Sequence, residues 1–485
     1  MKNSAAPGAI LSISIAAAML AACGYSGSGG SGTTTSSSNQ TGTASGTVQG
    51  FGSIFVNGRE FDTSSASFVI DDQPGGTELD LAVGNAVEIK ATFQEDGSAI
   101  ASEVRFDAEL EGEIATLDLI NNSFTVAGQT VFVSGTTFFE GASGFADLRV
   151  GNVVEVSGNI DANGDLLASS VEVQQNPANE VEVKGTVENH DSANRSFVIN
   201  ALTVAYSGAV LDPVDLQVDD GQFVEVSGTL AGETLTAGKL ELEDRVPIAA
   251  GDVALIEGIV GTVDSASTFT LVSGVQVAHD SDTVFEGGTA ADIQPGARIE
   301  VEGEVDGNGV LQAVTIELEN GEDDPAVEVT AQVDTVDTSS DTLTLLGVVD
   351  VQATDDTRIK DDRDGVRAGF TVDAIQQGDY VEIAAIIEGD SLFATRIERG
   401  EPETNDTGVV EVKLQGPLAS EDTTNGTIII SGVTVDFGED TEFEDAQETP
   451  ITMEVFFDLA ETADVAKVGG TFDGNLINAR EVSLE

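Results

Sequence analysis

The strongest constraint on this chain is a short run that keeps returning along its length. Gly151-Asn152-Val153-Val154-Glu155-Val156-Ser157-Gly158 is a glycine, an alternation of apolar and acidic residues, and a second glycine. Relatives of it begin at Gly84, Gly221, Gly296 and Gly378, at steps of 67, 70, 75 and 82 residues (84 to 151, 151 to 221, 221 to 296, 296 to 378). Period-two alternation between glycines predicts a strand with one buried face. Its return at a similar step predicts one small unit repeated. A chain of 485 residues is in any case too long for one hydrophobic core.

The residues between these runs fill in the unit. An opening strand carries a central glycine, as in Leu110-Glu111-Gly112-Glu113-Ile114 and Val183-Lys184-Gly185-Thr186-Val187. A hairpin and second strand follow (Ser123-Phe124-Thr125-Val126), then a third strand leading to a Thr-x-Phe segment (Thr137-Phe138-Phe139, Thr283-Val284-Phe285, Thr441-Glu442-Phe443). After the Gly-x-x-Val-Glu-Val run, a tight turn such as Asp161-Ala162-Asn163-Gly164 leads to a last strand of pattern Leu-x-Ala-x-x-Val-Glu, as in Leu166 to Glu172 and Leu392 to Glu398. Alternation turns the valines inward and the glutamates to water. Pro177, Pro247, Pro325 and Pro402 mark junctions, because proline cannot continue a ladder. The sixth copy is degenerate, with Ala466-Lys467-Val468-Gly469-Gly470 in place of the acidic run. The expected fold is all-β: six tandem small β-barrels, OB-like or SH3-like, of about 65–80 residues, as beads on a string. Units this small need neighbours to buttress them, and six in a line would reach about 170 Å. No helix longer than a turn or two is expected after the leader.

These motifs, in this order, resemble a bacterial family, Domain of Unknown Function 5666, over about residues 46 to 485, strongly in units two to four and weakly in six. The resemblance implies tandem copies behind a lipidated N-terminus. It implies no activity, so it supplies no functional residue.

The N-terminus reads separately. Lys2 precedes an apolar, small-residue run from Ala9 to Ala22, too short for a stable membrane span and suited to a signal-peptide core. The run ends Leu20-Ala21-Ala22-Cys23, and Cys23 is the only cysteine. This resembles a bacterial lipobox, which implies acylation of Cys23 and a membrane anchor of several acyl chains. Gly24 after the cysteine then implies the outer membrane of a Gram-negative bacterium. The expected division is signal peptide 1–22, flexible Gly/Ser/Thr tether 23–45, and β units 46–107, 108–176, 181–245, 253–320, 327–399 and 409–485.

Charge narrows the partners. Asp and Glu number 86 against 19 Lys and Arg, a formal net charge of −67. That excludes nucleic acid, which demands a basic face, and docking on anionic lipid. A solvated acidic surface, or a protein, glycan or divalent-cation partner, remains.

Candidates for chemistry are few. Asp161, Asn163 and Asp165 have the alternate spacing of a calcium loop, but the sixth position is Leu166 rather than glycine, so a hairpin turn is the expectation. Asp355, Asp356, Asp361, Asp362 and Asp364 alternate with Arg358, Lys360, Arg363 and Arg367, which neutralise them locally. The two histidines, His190 and His279, lie far from each other and from cysteine, against a zinc site and without a nucleophile motif. No catalytic, cofactor-binding or metal residue is nominated; Cys23 is the one modification site, and no cofactor is expected. The functional expectation is a non-enzymatic acidic surface lipoprotein acting as spacer, scaffold or adhesive. The alternative is a repeat array binding divalent cations, glycans or a cationic protein.

Overall fold

The computed structural model describes residues 40–484 apart from 52, 95–97, 143, 175–180, 244–245, 247, 320–325, 355–356, 362, 364–370, 389–390, 403, 405–407, 446–448 and 461–464. Cys23, the signal segment, most of the tether, and Pro177, Pro247 and Pro325 lie outside the described residues. Strands dominate. The α-helix among the described residues is Met453–Ala460, two turns long, and no described helix is long and apolar enough to cross a membrane.

The second unit shows how the repeat folds. Leu110–Asp118 pairs with Ser123–Val126, which pairs with Gln129–Phe132; that strand runs parallel to Leu166–Val173. Leu166–Val173 pairs in turn with Val153–Ile160, which returns to Leu110–Asp118 and closes a five-stranded barrel. The order is that of an OB-like Greek-key barrel, and closure leaves an edge only at the start of the opening strand, Leu110 and Glu111. Val154, Val156, Val131 and Phe124 fill it, all within 1% of full burial. The first, fourth, fifth and sixth units close the same ring. In the third the opening strand is interrupted at Val187, between Val181–Thr186 and Glu188–Asp191, and both pieces take part.

The recurrent motif residues each have a structural task. The opening glycine of the acidic run adopts a left-handed φ (93° at Gly151), and its N–H donates to the opening strand at Ile114 O, 3.0 Å. Gly84, Gly221, Gly296 and Gly378 do the same towards Val48, Val187, Val260 and Val333. The threonine of Thr-x-Phe, or of Thr357-Arg358-Ile359 in the fifth unit, donates its hydroxyl to the carbonyl of an alanine early in the last strand: Thr137 to Ala168 at 2.7 Å, Thr283 to Ala313, Thr357 to Ala394 and Thr441 to Ala479. The second glycine sits at a β-bulge, where a side chain at Gly158 would come within 2.1 Å of Leu167 O.

The barrels are joined in pairs by their opening strands, which makes three large sheets of 13, 13 and 12 strands. Units two and three meet antiparallel, with Glu111 opposite Glu182 and Leu110 opposite Val183. Units five and six meet antiparallel through Val329 and Leu414. Units one and four, far apart in sequence, meet in parallel: Gly42–Ser45 lie against Val253–Ile256. The cores of two and three merge, as do those of five and six. The line of some 170 Å is therefore corrected: backbone edges complete one another, and the fourth barrel returns beside the first.

The tether boundary is corrected as well. Gln40 to Ser45 belong to the strand Gln40–Gly50, which pairs with Ala86–Phe93 on one side and Val253–Ser265 on the other. Small residues suit a strand squeezed between two neighbours. A Cβ on Gly42 would meet Val253 O at 2.2 Å.

Candidate functional site

The strand pairings place a polar junction where the first three barrels meet. Asp71 and Asp72 form the turn after Ser67–Ile70, both with left-handed φ; Asp107 follows the strand Ala99–Phe106. From the third unit come Lys184 at the centre of Val181–Thr186, its cross-strand partner Glu225, and Glu241 opposite Glu225 in turn. Lys184 Nζ lies 2.8 Å from Asp107 Oδ2 and 3.9 Å from Glu225 Oε2. Asp72 receives both Arg105 and Lys239 at 2.9 Å, and Lys239 also pairs with Glu241.

Acid outweighs base here, and the buried carboxyls are pushed up accordingly. Burial, then Asp107 and Glu182, push Glu225 up to about 10. Burial raises Glu109 to about 7 against the pull of Lys184, and Glu88 to about 7 against that of Arg105. Burial lowers the affinity of Lys184 for its proton, but Asp107, Glu109 and Glu225 more than reverse this and hold it charged. Beside the cluster opens a cavity of about 390 Å³, lined from the first three units by Glu88, Glu109 and Lys184 and from the fourth by Glu257 and Val272.

The expectation that the Val-Glu-Val glutamates face water is corrected here. It treats each barrel alone, whereas the outer faces of the inner barrels cover one another. Across the seam of units two and three the register sets Glu172 beside Glu155, Glu155 beside Glu111, and Glu111 beside Glu182. Burial and these acidic neighbours, with Asp71, raise Glu155 and Glu182 to about 8. Glu225 is only 4% exposed. Glu257 shows the opposite outcome. Burial pushes it up, but Arg298 at 2.8 Å and Arg358 hold it at about 2. It accepts bonds from Thr47 N–H and Asn159 Nδ2, each 3.0 Å, and so ties units one and two to the fourth.

The residues singled out from sequence are not brought together. Asp161 Oδ1 accepts the N–H groups of Asn163 and Asp165 in the hairpin turn, and Leu166 and Glu172 belong to a strand. Asp361 is held by Arg363 and Arg399, which also reach Asp379; Asp355, Asp356, Asp362, Asp364 and Arg367 lie outside the described residues. Arg358, from the same loop, reaches across to Thr136 O in the second unit. His190 Nε2 is 2.6 Å from Tyr206 Oη, and the ring of His279 lies 5.4 Å from that of Phe285.

A family model covers nearly all of the described body. The model, "Domain of unknown function (DUF5666)", matches residues 41–105, 111–172, 181–241, 257–317, 330–398 and 415–483. The chain belongs to the DUF5666 family. Its six tandem DUF5666 copies coincide with the six barrels. No curated protein matches the chain. A solved structure, "drosophila Unr CSD456", is 14% identical over 44% of this chain and 98% of its own length, at a TM-score of 0.12, which carries no argument.

Sequence reasoning missed Lys184, Asp107 and Glu225 as a group. Two of the 19 basic residues, Lys184 and Lys239, lie in third-unit strands otherwise rich in acid, the one signal available. Nothing local said that Asp72 and Asp107, in and just after the first DUF5666 copy, would meet them.

Proposed function

We propose that this DUF5666 protein is a non-enzymatic, acidic surface lipoprotein that serves as a scaffold: a block of paired barrels held at the outer membrane by acyl chains on Cys23. The observation that carries the reading is where the tether enters the body. The strand Gln40–Gly50 is the first described element, and it is bonded on both edges, from Gln40 to Thr47 against residues 86–93 and from Gly42 to Ser45 against 253–256. Tension along such a strand must break many hydrogen bonds together rather than one at a time, which suits a body pulled through its N-terminus. The acidic exterior keeps such a block soluble and repels anionic surfaces.

The test is growth with radiolabelled fatty acid followed by membrane fractionation. The protein should take up label and sediment with outer membranes, and Cys23→Ser should take up none and appear in the soluble fraction. A Cys23→Ser protein that stays with the membrane overturns the anchor.

A further inference from the structure

We infer that the junction of the first and third barrels is a calcium site, with Asp72, Asp107 and Glu225 as its protein ligands. Each offers a carboxylate oxygen, and the three oxygens lie within 4.8 Å of one another. Two oxygens bound to one calcium at about 2.3–2.6 Å can be at most about 5 Å apart, so the ligands need little movement to close on an ion. An all-oxygen carboxylate set suits a hard cation, and calcium tolerates irregular geometry where magnesium demands a near-ideal octahedron.

The second observation is Glu225 itself. It is 4% exposed and points into the cluster; its Oε2 accepts no hydrogen bond, and its side chain meets Asp107, a second carboxylate, in a pairing that needs a proton or a cation between the two. Lys184 Nζ, at 3.9 Å, is beyond hydrogen-bond range and is already engaged with Asp107. A buried carboxylate oxygen without a donor is costly unless something positive sits against it. Lys184, Lys239 and Arg105 face more than twice their number of carboxylates here, among them Glu109, Glu182 and Glu243. A divalent ion supplies the missing charge. Because Asp72 and Asp107 belong to the first barrel and Glu225 to the third, the ion would clamp the sheet of units one and four to that of units two and three. The inference is independent of the lipid anchor.

The experiment is equilibrium dialysis of the full chain against radioactive calcium, with thermal melts in CaCl₂, in MgCl₂ and in NaCl of matched ionic strength. One ion per chain should bind above the diffuse background, and CaCl₂ should raise the melting temperature about 5 °C beyond NaCl. Glu225→Gln, which keeps the shape, should weaken that ion at least tenfold and abolish the extra rise. Asp161→Asn, in an exposed turn, should change neither. Equal melts in CaCl₂ and NaCl, an undiminished calcium response in Glu225→Gln, or an equal response to MgCl₂ would overturn the assignment.

Discussion

The second and fifth barrels carry the same motif in the same register, yet they handle it oppositely. In each, the glutamate of the acidic run lies directly beside the glutamate that ends Leu-x-Ala-x-x-Val-Glu: Glu155 beside Glu172, Glu382 beside Glu398. Like charges in that relation repel. The fifth barrel places Arg396 where the second has Ser170, and its guanidinium reaches Glu382 at 2.6 Å and Glu398 as well. The second has no such cation in that strand, and Glu155 takes a bond from Gln174 and a shifted titration instead. The bulge differs too: glycine at Gly158, alanine at Ala385. One fold thus tolerates an acidic pair in two ways, by an internal arginine or by holding a proton, and only the second depends on neutral pH.

The largest expected break in this comparison is Gly158→Ala. The new methyl would press on Leu167 O at 2.1 Å, and a shift of strand backbone costs about 3 kcal/mol. Urea melts that place Gly158→Ala level with the wild type would contradict the bulge assignment.

Next is Arg396→Met. It leaves Glu382 and Glu398 facing each other without their shared cation, at about 2 kcal/mol; the buried-pair figure is reduced because Glu382 is 44% exposed. Urea melts that place Arg396→Met level with the wild type would contradict the role of the shared cation.

The pH dependence of the seam between the second and third barrels comes third. Glu155 and Glu182 have folded values raised to about 8, above the unfolded carboxylate value. The folded state therefore keeps protons that the unfolded chain releases. The stabilisation is whole below about pH 4.5 and drains away as pH climbs through about 8, on the order of 1–2 kcal/mol per group. Glu155→Gln should flatten this slope in melts between pH 5 and pH 9. A slope that survives in Glu155→Gln and Glu182→Gln together assigns it elsewhere.

How far the sequence revealed this can be judged residue by residue. The strands of each barrel, the inward valines and the turn at Asp161 were legible because they are local and periodic. The bulge glycine was visible as a recurrent letter, though not as a bulge. The seams were not legible. Strand edges pair through backbone groups that every residue carries, so nothing in Gly42-Thr43-Ala44-Ser45 names Val253-Ala254-Leu255-Ile256 as its partner. The acidic junction followed the seams out of sight, since the inference that glutamates face water assumes each barrel stands alone. The smallest expected effect belongs to the legible class. Ala385→Gly should cost about 1 kcal/mol through a lost buried methyl and a looser backbone, and a stabilised variant would mean the fifth barrel strains at its bulge.

The pairing of the first and fourth barrels is the claim on which the arrangement rests. Thr43 and Ala254 are directly opposed across that seam, and neighbouring strands lie about 4.8 Å apart, within disulfide reach. In a Cys23→Ser background, which removes the only native cysteine, Thr43→Cys with Ala254→Cys should form an intramolecular disulfide under mild oxidation, seen as a mobility shift on a non-reducing gel. Failure to cross-link, in a protein that still melts cooperatively, would contradict the seam and return the barrels to a string.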